Sequence, residues 1–138
     1  MRNQTFIIGC GKLGASIAND SSRRGLDVVV IDGNQDVFSQ LDDNFSGIAK
    51  LADATDPNAL LDAGILNAKE VIITTGNDNV SLFLAHLCAK IYEVPYVYVR
   101  FDDPAMGLLI QGMNIKAIYP FQLSRDRFNL LKMGVEEQ

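Results

Sequence analysis

A glycine-rich turn near the start of the chain constrains the fold more than any other feature of the sequence. The segment Gly9-Cys10-Gly11-Lys12-Leu13-Gly14 has the pattern Gly-x-Gly-x-x-Gly. The apolar run Phe6-Ile7-Ile8 precedes it, and a stretch of helical character over residues 13–19 follows it. The pattern alone is short, so the strand before it and the helix after it carry the inference. Together they predict a turn that aims backbone N–H groups and the positive end of a helix at an anion.

Each glycine has its own steric role in such a turn. Gly9 permits the tight turn, Gly11 lets the backbone approach a diphosphate, and Gly14 allows the helix to pack closely on the strand. We interpret Cys10 as a small residue that fills the turn. The alternative is a reactive thiol whose pKa the helix N-terminus lowers.

Short β-branched runs alternate with longer helical stretches along the whole chain, which is typical of a parallel sheet covered by helices. The length of 138 residues suits one domain. We predict a Rossmann-like, doubly wound α/β fold with a parallel six-stranded sheet in the order 3-2-1-4-5-6. The predicted strands cover residues 5–8, 27–31, 47–51, 70–74, 96–100 and 116–119.

Capping signals place the helices between these strands. Asp56-Pro57 and Asp103-Pro104 each put a carboxylate before a proline that suits the first turn of a helix. Asn77 or Asp78 can cap a longer helix, which we predict over residues 79–92.

The segment after the sixth strand is predicted to be one more helix, a C-terminal crossover helix over residues 121–133 that ends at Gly134. We therefore divide the chain into a nucleotide-binding domain over 1–120 and a C-terminal helical segment over 121–138. One stripe of this helix contains Ser124, Phe128, Leu131 and Val135. Because helices already cover both faces of the sheet, we expect this stripe to hold a homodimer or larger homo-oligomer together. The alternative is that the helix folds back on its own domain.

Asp32 follows the second predicted strand, where a carboxylate can accept both hydroxyl groups of a ribose. A 2′-phosphate at this place would meet like charge, and Gly33-Asn34 follow without an arginine. The sequence thus favours NAD, ADP or ATP over NADP.

Further polar residues follow the later strands. Asp53 and Thr55 come after the third strand, Thr75-Gly76-Asn77 after the fourth, and Arg100 ends the fifth. Ligands of open α/β sheets bind at this carboxyl edge. The alternative is structural: turns and helix caps for the first two groups, and an ion pair with a neighbouring aspartate for Arg100.

The bulk composition excludes several classes of protein. The net charge of −5 opposes binding to nucleic acid. Cys10 and Cys88 lie far apart without metal-ligand spacing, so we expect free thiols and no metal site. No apolar run approaches the ~20 residues that span a bilayer. We expect a cytoplasmic protein that reaches a membrane only through a partner.

Several segments together resemble a known family over nearly the whole chain. They are Ile7-Ile8-Gly9-Cys10-Gly11-Lys12-Leu13-Gly14, Val30-Ile31-Asp32, Ala52-Asp53-Ala54-Thr55-Asp56-Pro57, Arg100 to Pro104, Gly112 and Ala117-Ile118-Tyr119-Pro120-Phe121. At these residues the chain resembles the regulator-of-potassium-conductance (RCK) N-terminal domain, also called the TrkA-N or KTN domain. The Asp-Ala-Thr step and the late Ile-Tyr-Pro-Phe are more specific than the glycine pattern.

The resemblance implies a cytosolic regulatory subunit or domain that gates a membrane-embedded potassium channel or transporter. The implied effector is NAD(H), ADP, ATP or AMP. Carried over by position, Asp32 holds the ribose. The same resemblance implies that Asp53-Ala54-Thr55 lines the adenine pocket, and that Lys12 and Arg100 approach phosphate.

The chain departs from the family pattern at two positions. Ala52 stands where the family usually has glycine, and Lys12 stands where arginine is frequent, which removes a bidentate grip on phosphate. The usual C-terminal lobe of the family is also absent from these residues.

A small NAD-dependent oxidoreductase is the alternative function. It requires a proton-transfer group beside the nicotinamide. His86, the only histidine, falls inside the helix predicted over 79–92 and is interpreted as a helix residue. A dehydrogenase domain of the siroheme-pathway type would share the glycine turn, but not the Asp53-Ala54-Thr55 step. We therefore predict no enzymatic activity and assign no catalytic residue.

Overall fold

The structure is a computed structural model that describes residues 1–134. Val135, which the sequence places on the stripe of the last helix, lies outside the described residues, as does the rest of 135–138.

One parallel sheet organises the described chain. Its strands are β1 (Gln4–Ile8), β2 (Asp27–Asp32), β3 (Ile48–Leu51), β4 (Ala68–Ile73), β5 (Tyr96–Arg100) and β6 (Ile115–Ile118). They pair in the order β3-β2-β1-β4-β5-β6, and every pairing is parallel. The predicted sheet order is therefore confirmed, and each strand end lies within two residues of the prediction.

Alternate side chains of the central strands enter two separate cores, one on each face of the sheet. In β1, Phe6 and Ile8 belong to one core and Ile7 to the other. In β2, Val29 and Ile31 join the first core. Because these strands are buried on both faces, they consist of continuous apolar runs, as the sequence analysis predicts for central strands of a parallel sheet.

Three α-helices and several shorter helical turns connect the strands of the described chain, and a fourth α-helix follows β6. The α-helices are α1 (Lys12–Arg23), α2 (Pro57–Ala63), α3 (Asp78–His86) and α4 (Pro120–Lys132). Turns of 3-10 helix cover Gln35–Gln40, Ile65–Asn67 and Pro104–Ile110, and a π-helical turn covers Leu87–Ile91. Within residues 1–134, no helix has the length and hydrophobicity that crossing a bilayer requires.

Side-chain caps start α2 and α3 where the sequence predicts them, whereas α1 and α4 have no side-chain cap. The Asp56 side chain accepts a hydrogen bond from the Asn58 backbone N–H at 3.0 Å and starts α2. Asn77, rather than Asp78, caps α3, because its side-chain oxygen accepts from the N–H groups of Asn79 and Val80.

Two helices differ from the prediction. The helix predicted over 79–92 is α-helical only to His86, after which a wider π turn carries the Tyr92 N–H to the Leu87 carbonyl at 3.0 Å. In this arrangement both Cys88 and Tyr92 are buried. The start signal at Asp103-Pro104 begins a 3-10 helix instead of an α-helix.

The last helix, α4, lies on the outside of the domain. Its observed span matches the predicted 121–133 within one residue at each end, and Gly134 has the predicted left-handed backbone with φ of +79°. No residue of α4 is buried, and Phe121, Leu123, Phe128 and Leu131 are each more than half exposed. The described chain therefore leaves the apolar side of α4 uncovered.

Candidate functional site

A cavity of about 640 Å³ opens at the carboxyl edge of the sheet, between the ends of β1, β2 and β4. This is the point where the strand order reverses, which is the usual ligand site of open α/β sheets. The lining residues are Ile8, Gly9, Gly11, Ile31, Asp32, Gly33, Val37, Ala52, Asp53, Ala54, Thr55, Thr74, Thr75, Gly76, Val80, Leu84 and Arg100.

The glycine turn forms one wall of this cavity through three different geometries. Gly9 has φ of +98°, and a Cβ there would lie 2.7 Å from the Thr74 carbonyl oxygen. A Cβ at Gly14 would overlap the Gly9 carbonyl oxygen and lie 2.6 Å from the Thr74 hydroxyl. A Cβ at Gly11 would meet no atom within 4 Å. Gly9 and Gly14 are thus required by packing, whereas Gly11 keeps open the space that a ligand would use.

The Asp32 carboxylate joins the turn to the end of β2. Its Oδ2 accepts from the Cys10 backbone N–H at 2.8 Å, and its Oδ1 accepts from the Asn34 backbone N–H at 2.9 Å. A carboxylate has about four acceptor positions, so each oxygen can accept one more hydrogen bond. This fixed carboxylate at the cavity wall fits the two hydroxyl groups of a ribose.

Asp53, Ala54 and Thr55 form a tight turn after β3. Asp53 Oδ1 accepts from the Thr55 backbone N–H at 2.9 Å and from the Thr55 hydroxyl at 2.7 Å. The Thr55 hydroxyl and N–H lower the pKa of the Asp53 carboxyl, which therefore stays charged at neutral pH. The structure brings this turn to the same cavity as Asp32.

The far half of the cavity is lined by residues from β4, α3 and β5. Thr75 and Gly76 lie at this wall, together with the apolar side chains of Val80 and Leu84. Arg100 lines the cavity, and it also makes the ion pair that the sequence offered as the structural alternative, because its Nη2 lies 3.0 Å from Asp102 Oδ1.

Five of the sequence-predicted site residues do not line the cavity with the others. They are Cys10, Lys12, Leu13, Gly14 and Asn77. Lys12 is exposed on the first turn of α1 and lines a separate depression of about 270 Å³ with Arg23 and Gln40. Asn77 is engaged in capping α3.

The Cys10 side chain is fully buried, as expected of a small residue that fills the turn. Burial and the nearby charge of Asp32 raise the pKa of its thiol. The alternative of a reactive thiol with a lowered pKa is therefore wrong.

Several other residues of the cavity wall were not predicted from the sequence. Val37 reaches the cavity from a 3-10 turn, and Val80 and Leu84 reach it from α3. Thr74 could have been predicted as a cavity residue, since it directly follows β4. In the structure its hydroxyl donates to the Gly9 carbonyl oxygen at 2.7 Å. The only histidine, His86, lies away from this wall, with its Nε2 3.0 Å from the Leu109 carbonyl oxygen.

Comparison with known proteins agrees with this fold. A family model described as the TrkA-N domain matches residues 5–120. The Trk system potassium uptake protein TrkA of Streptomyces coelicolor is 27% identical over 132 residues, which are 94% of this chain and 59% of that protein. The Ktr system potassium uptake protein A of Bacillus subtilis is 31% identical over 101 residues, 72% of this chain and 45% of that protein. The chain spans about half the length of the curated relatives it matches.

Among solved structures, that of GsuK bound to ADP aligns with a TM-score of 0.78. Its sequence is 22% identical, and the match covers 94% of this chain and 33% of that one. At this identity the likeness shows the fold, which is the Rossmann-like sheet described above.

We predict that Gly14→Ala destabilises the domain by about 1–3 kcal/mol, because the added methyl group meets backbone of the glycine turn that cannot move away. Gly11→Ala is the matched control: its Cβ would meet no atom within 4 Å, so it should cost less than about 1 kcal/mol, the difference between glycine and alanine at a helix N-cap. Urea unfolding followed by circular dichroism measures both. Equal stability of the two variants would contradict the close packing of α1 on β1 and β4.

Proposed function

The chain belongs to the TrkA-N domain family, and from this premise we propose that it is a nucleotide-binding regulatory domain that controls potassium transport. The observation that carries the proposal is the cavity at the switch point of the sheet. There the open space at Gly11 and the fixed carboxylate of Asp32 lie together.

The proposed effector is NAD(H) or an adenine nucleotide such as ADP, ATP or AMP. The phosphate groups lie against the turn at Gly11, and the ribose hydroxyls donate to Asp32. Asp53-Ala54-Thr55 lines the adenine end, and Thr75, Gly76 and Arg100 lie at the far end. GsuK, whose structure was solved with ADP, supports an adenine nucleotide as the ligand class.

The proposed partner is a membrane-embedded potassium transporter or channel subunit. Both relatives described above are potassium uptake proteins. The domain is then cytoplasmic and reaches the inner face of the membrane through this partner. An effector shifts such an assembly only if it binds two conformational states with different affinity.

An NAD-dependent oxidoreductase is less well supported. The titratable side chains in the cavity wall described here are Asp32, Asp53 and Arg100. Asp32 is held by two backbone N–H groups, and Asp53 is held in its charged form by Thr55. The Asp53 carboxylate is therefore not poised to exchange a proton near neutral pH.

We expect binding without turnover. Calorimetric titration with ADP and NAD should show saturable binding, while NADH incubated with small carbonyl substrates should keep its absorbance at 340 nm. Oxidation of NADH at a rate proportional to protein concentration would support the oxidoreductase instead.

Asp32→Ala should weaken ADP and NAD binding by about 1.5–3 kcal/mol, because the ribose hydroxyls lose a charged acceptor. Calorimetric titration measures the loss. Asp62→Ala is the matched control, since Asp62 is exposed on α2 and lies outside the cavity wall. An unchanged affinity in Asp32→Ala, with the circular-dichroism spectrum intact, would remove Asp32 from the ligand site.

The exposed apolar side of α4 supports a homodimer or larger homo-oligomer. Phe128 and Leu131 lie one turn apart and are 58% and 51% exposed. A second copy of the chain can cover this surface with the same surface of its own helix. The segment 121–138 is then the unit that joins two domains of residues 1–120.

Light scattering coupled to size exclusion should give at least a dimer at tens of micromolar protein. The double variant Phe128→Asp with Leu131→Asp should be a monomer, because two carboxylates would be buried without partners. Asp126→Asn, an exposed change on the same helix, serves as the control. A monomeric wild type would exclude the homo-oligomer. A dimeric double variant would show that the interface lies elsewhere than on the apolar side of α4.

A further inference from the structure

Arg100 is a cation with incomplete hydrogen bonding at the far wall of the cavity. Its side chain is 22% exposed, and its Nη2 donates to Asp102 Oδ1 at 3.0 Å. The Nε atom is buried and has no acceptor among residues 1–134. A guanidinium has five N–H donors in a planar fork, which matches the oxygens of a phosphate. The hydrogen bond to Asp102 uses one of these donors, and the exposed part of the guanidinium leaves others for an anion in the cavity.

The loop that carries Asp102 is held in place by Asp78, the first residue of α3. Asp78 Oδ1 accepts from the Asp102 backbone N–H, and its Oδ2 accepts from the Asp103 backbone N–H, each at 2.9 Å. Arg100 therefore pairs with an aspartate whose backbone is held in place.

The other neighbour of Arg100 is an aromatic ring on α4. The guanidinium carbon lies over the Phe121 ring, 5.7 Å from its centroid. An aromatic ring attracts a cation through its face. It therefore leaves the guanidinium N–H groups free to donate to a phosphate. Phe121 and a bound phosphate can therefore hold the guanidinium at the same time.

Phe121 belongs to α4, a helix that is not buried against the rest of the domain. The backbone before α4 is fixed, because the Phe101 N–H donates to the Ile118 carbonyl at 3.0 Å and the Phe101 ring lies 6.5 Å from that of Tyr119. Beyond this point no residue of α4 is buried, and Phe121 is 61% exposed. The contact with Arg100 is thus a direct link between the first turn of α4 and the cavity.

We propose that Phe121 is a positioning residue that holds the Arg100 guanidinium for a nucleotide phosphate, so that occupancy of the cavity and order in the first turn of α4 are coupled. This inference rests on the proposed nucleotide-binding function. The ring acts only on ligands whose phosphate reaches Arg100, and the coupling is reciprocal by thermodynamic linkage. A phosphate on Arg100 therefore stabilises the first turn of the helix that carries the exposed apolar side chains.

Calorimetric titration with ADP and with adenosine tests whether the Phe121 ring contributes to phosphate binding. Phe121→Leu keeps an apolar side chain but removes the ring, so ADP should bind about two- to fivefold more weakly, the contribution of one cation–π contact at an exposed site. Adenosine, which has no phosphate, should bind wild type and variant alike. Phe121→Tyr keeps a ring and should bind ADP as wild type does.

Hydrogen exchange at the Leu123 amide reports on the helix, because its N–H donates to the Tyr119 carbonyl at 3.0 Å in the first turn of α4. ADP should slow this exchange in wild type and in Phe121→Tyr, but not in Phe121→Leu. Phe83→Leu, which removes an exposed ring on α3 that lies outside the cavity wall and does not contact Arg100, is the matched control and should behave as wild type.

Equal ADP affinity in wild type and Phe121→Leu would overturn the positioning role. If Phe121→Leu also bound adenosine more weakly, the positioning role would be overturned as well, since the ring would then affect the shape of the whole cavity. Unchanged Leu123 exchange in ADP-bound wild type would overturn the coupling to α4. Failure of wild type to bind ADP or NAD is a separate outcome, which would overturn the proposed function and this inference with it.

Discussion

The close approach of α1 to the ends of β1 and β4 is the constraint on which the site depends. It is possible because position 14 has no side chain, so the helix can rest against the Gly9 carbonyl and the Thr74 hydroxyl. The Thr74 hydroxyl donates to that same carbonyl oxygen and ties the turn to β4. This packing fixes the direction of the α1 N-terminus, whose N-cap residue Gly11 lines the cavity.

Much of this architecture could be predicted from the sequence, because local rules and long-range packing agree there. The apolar runs of β1, β2 and β4 are buried on both faces, so they are continuous in sequence and easy to identify. Asp32 and the glycine turn carry a spacing that follows from the strand–turn–helix geometry. Helix starts at Asp56 and Asn77 were predictable because a capping side chain acts on backbone only two or three residues away.

The features that could not be predicted depend on contacts between residues distant in sequence. The turn that contains Lys12 was predictable, but not that its side chain would lie in the depression with Arg23 and Gln40 instead of the cavity. The apolar wall formed by Val37 and Val80 depends on where a 3-10 turn and α3 pack on the sheet. The π-helical turn after His86 likewise has no local signal, since it accompanies the burial of both Cys88 and Tyr92.

The hydrogen bond from the Cys10 N–H to Asp32 has a kinetic consequence. It joins the carboxylate at the end of β2 to the backbone of the turn, so both parts of the site move as one piece. A ligand then meets a surface in this half of the cavity whose shape exists before it arrives, and neither the glycine turn nor the end of β2 has to become ordered during the encounter. Association through this half of the cavity should therefore be limited by diffusion and orientation of the ligand, and differences in affinity between ligands should arise in their residence times.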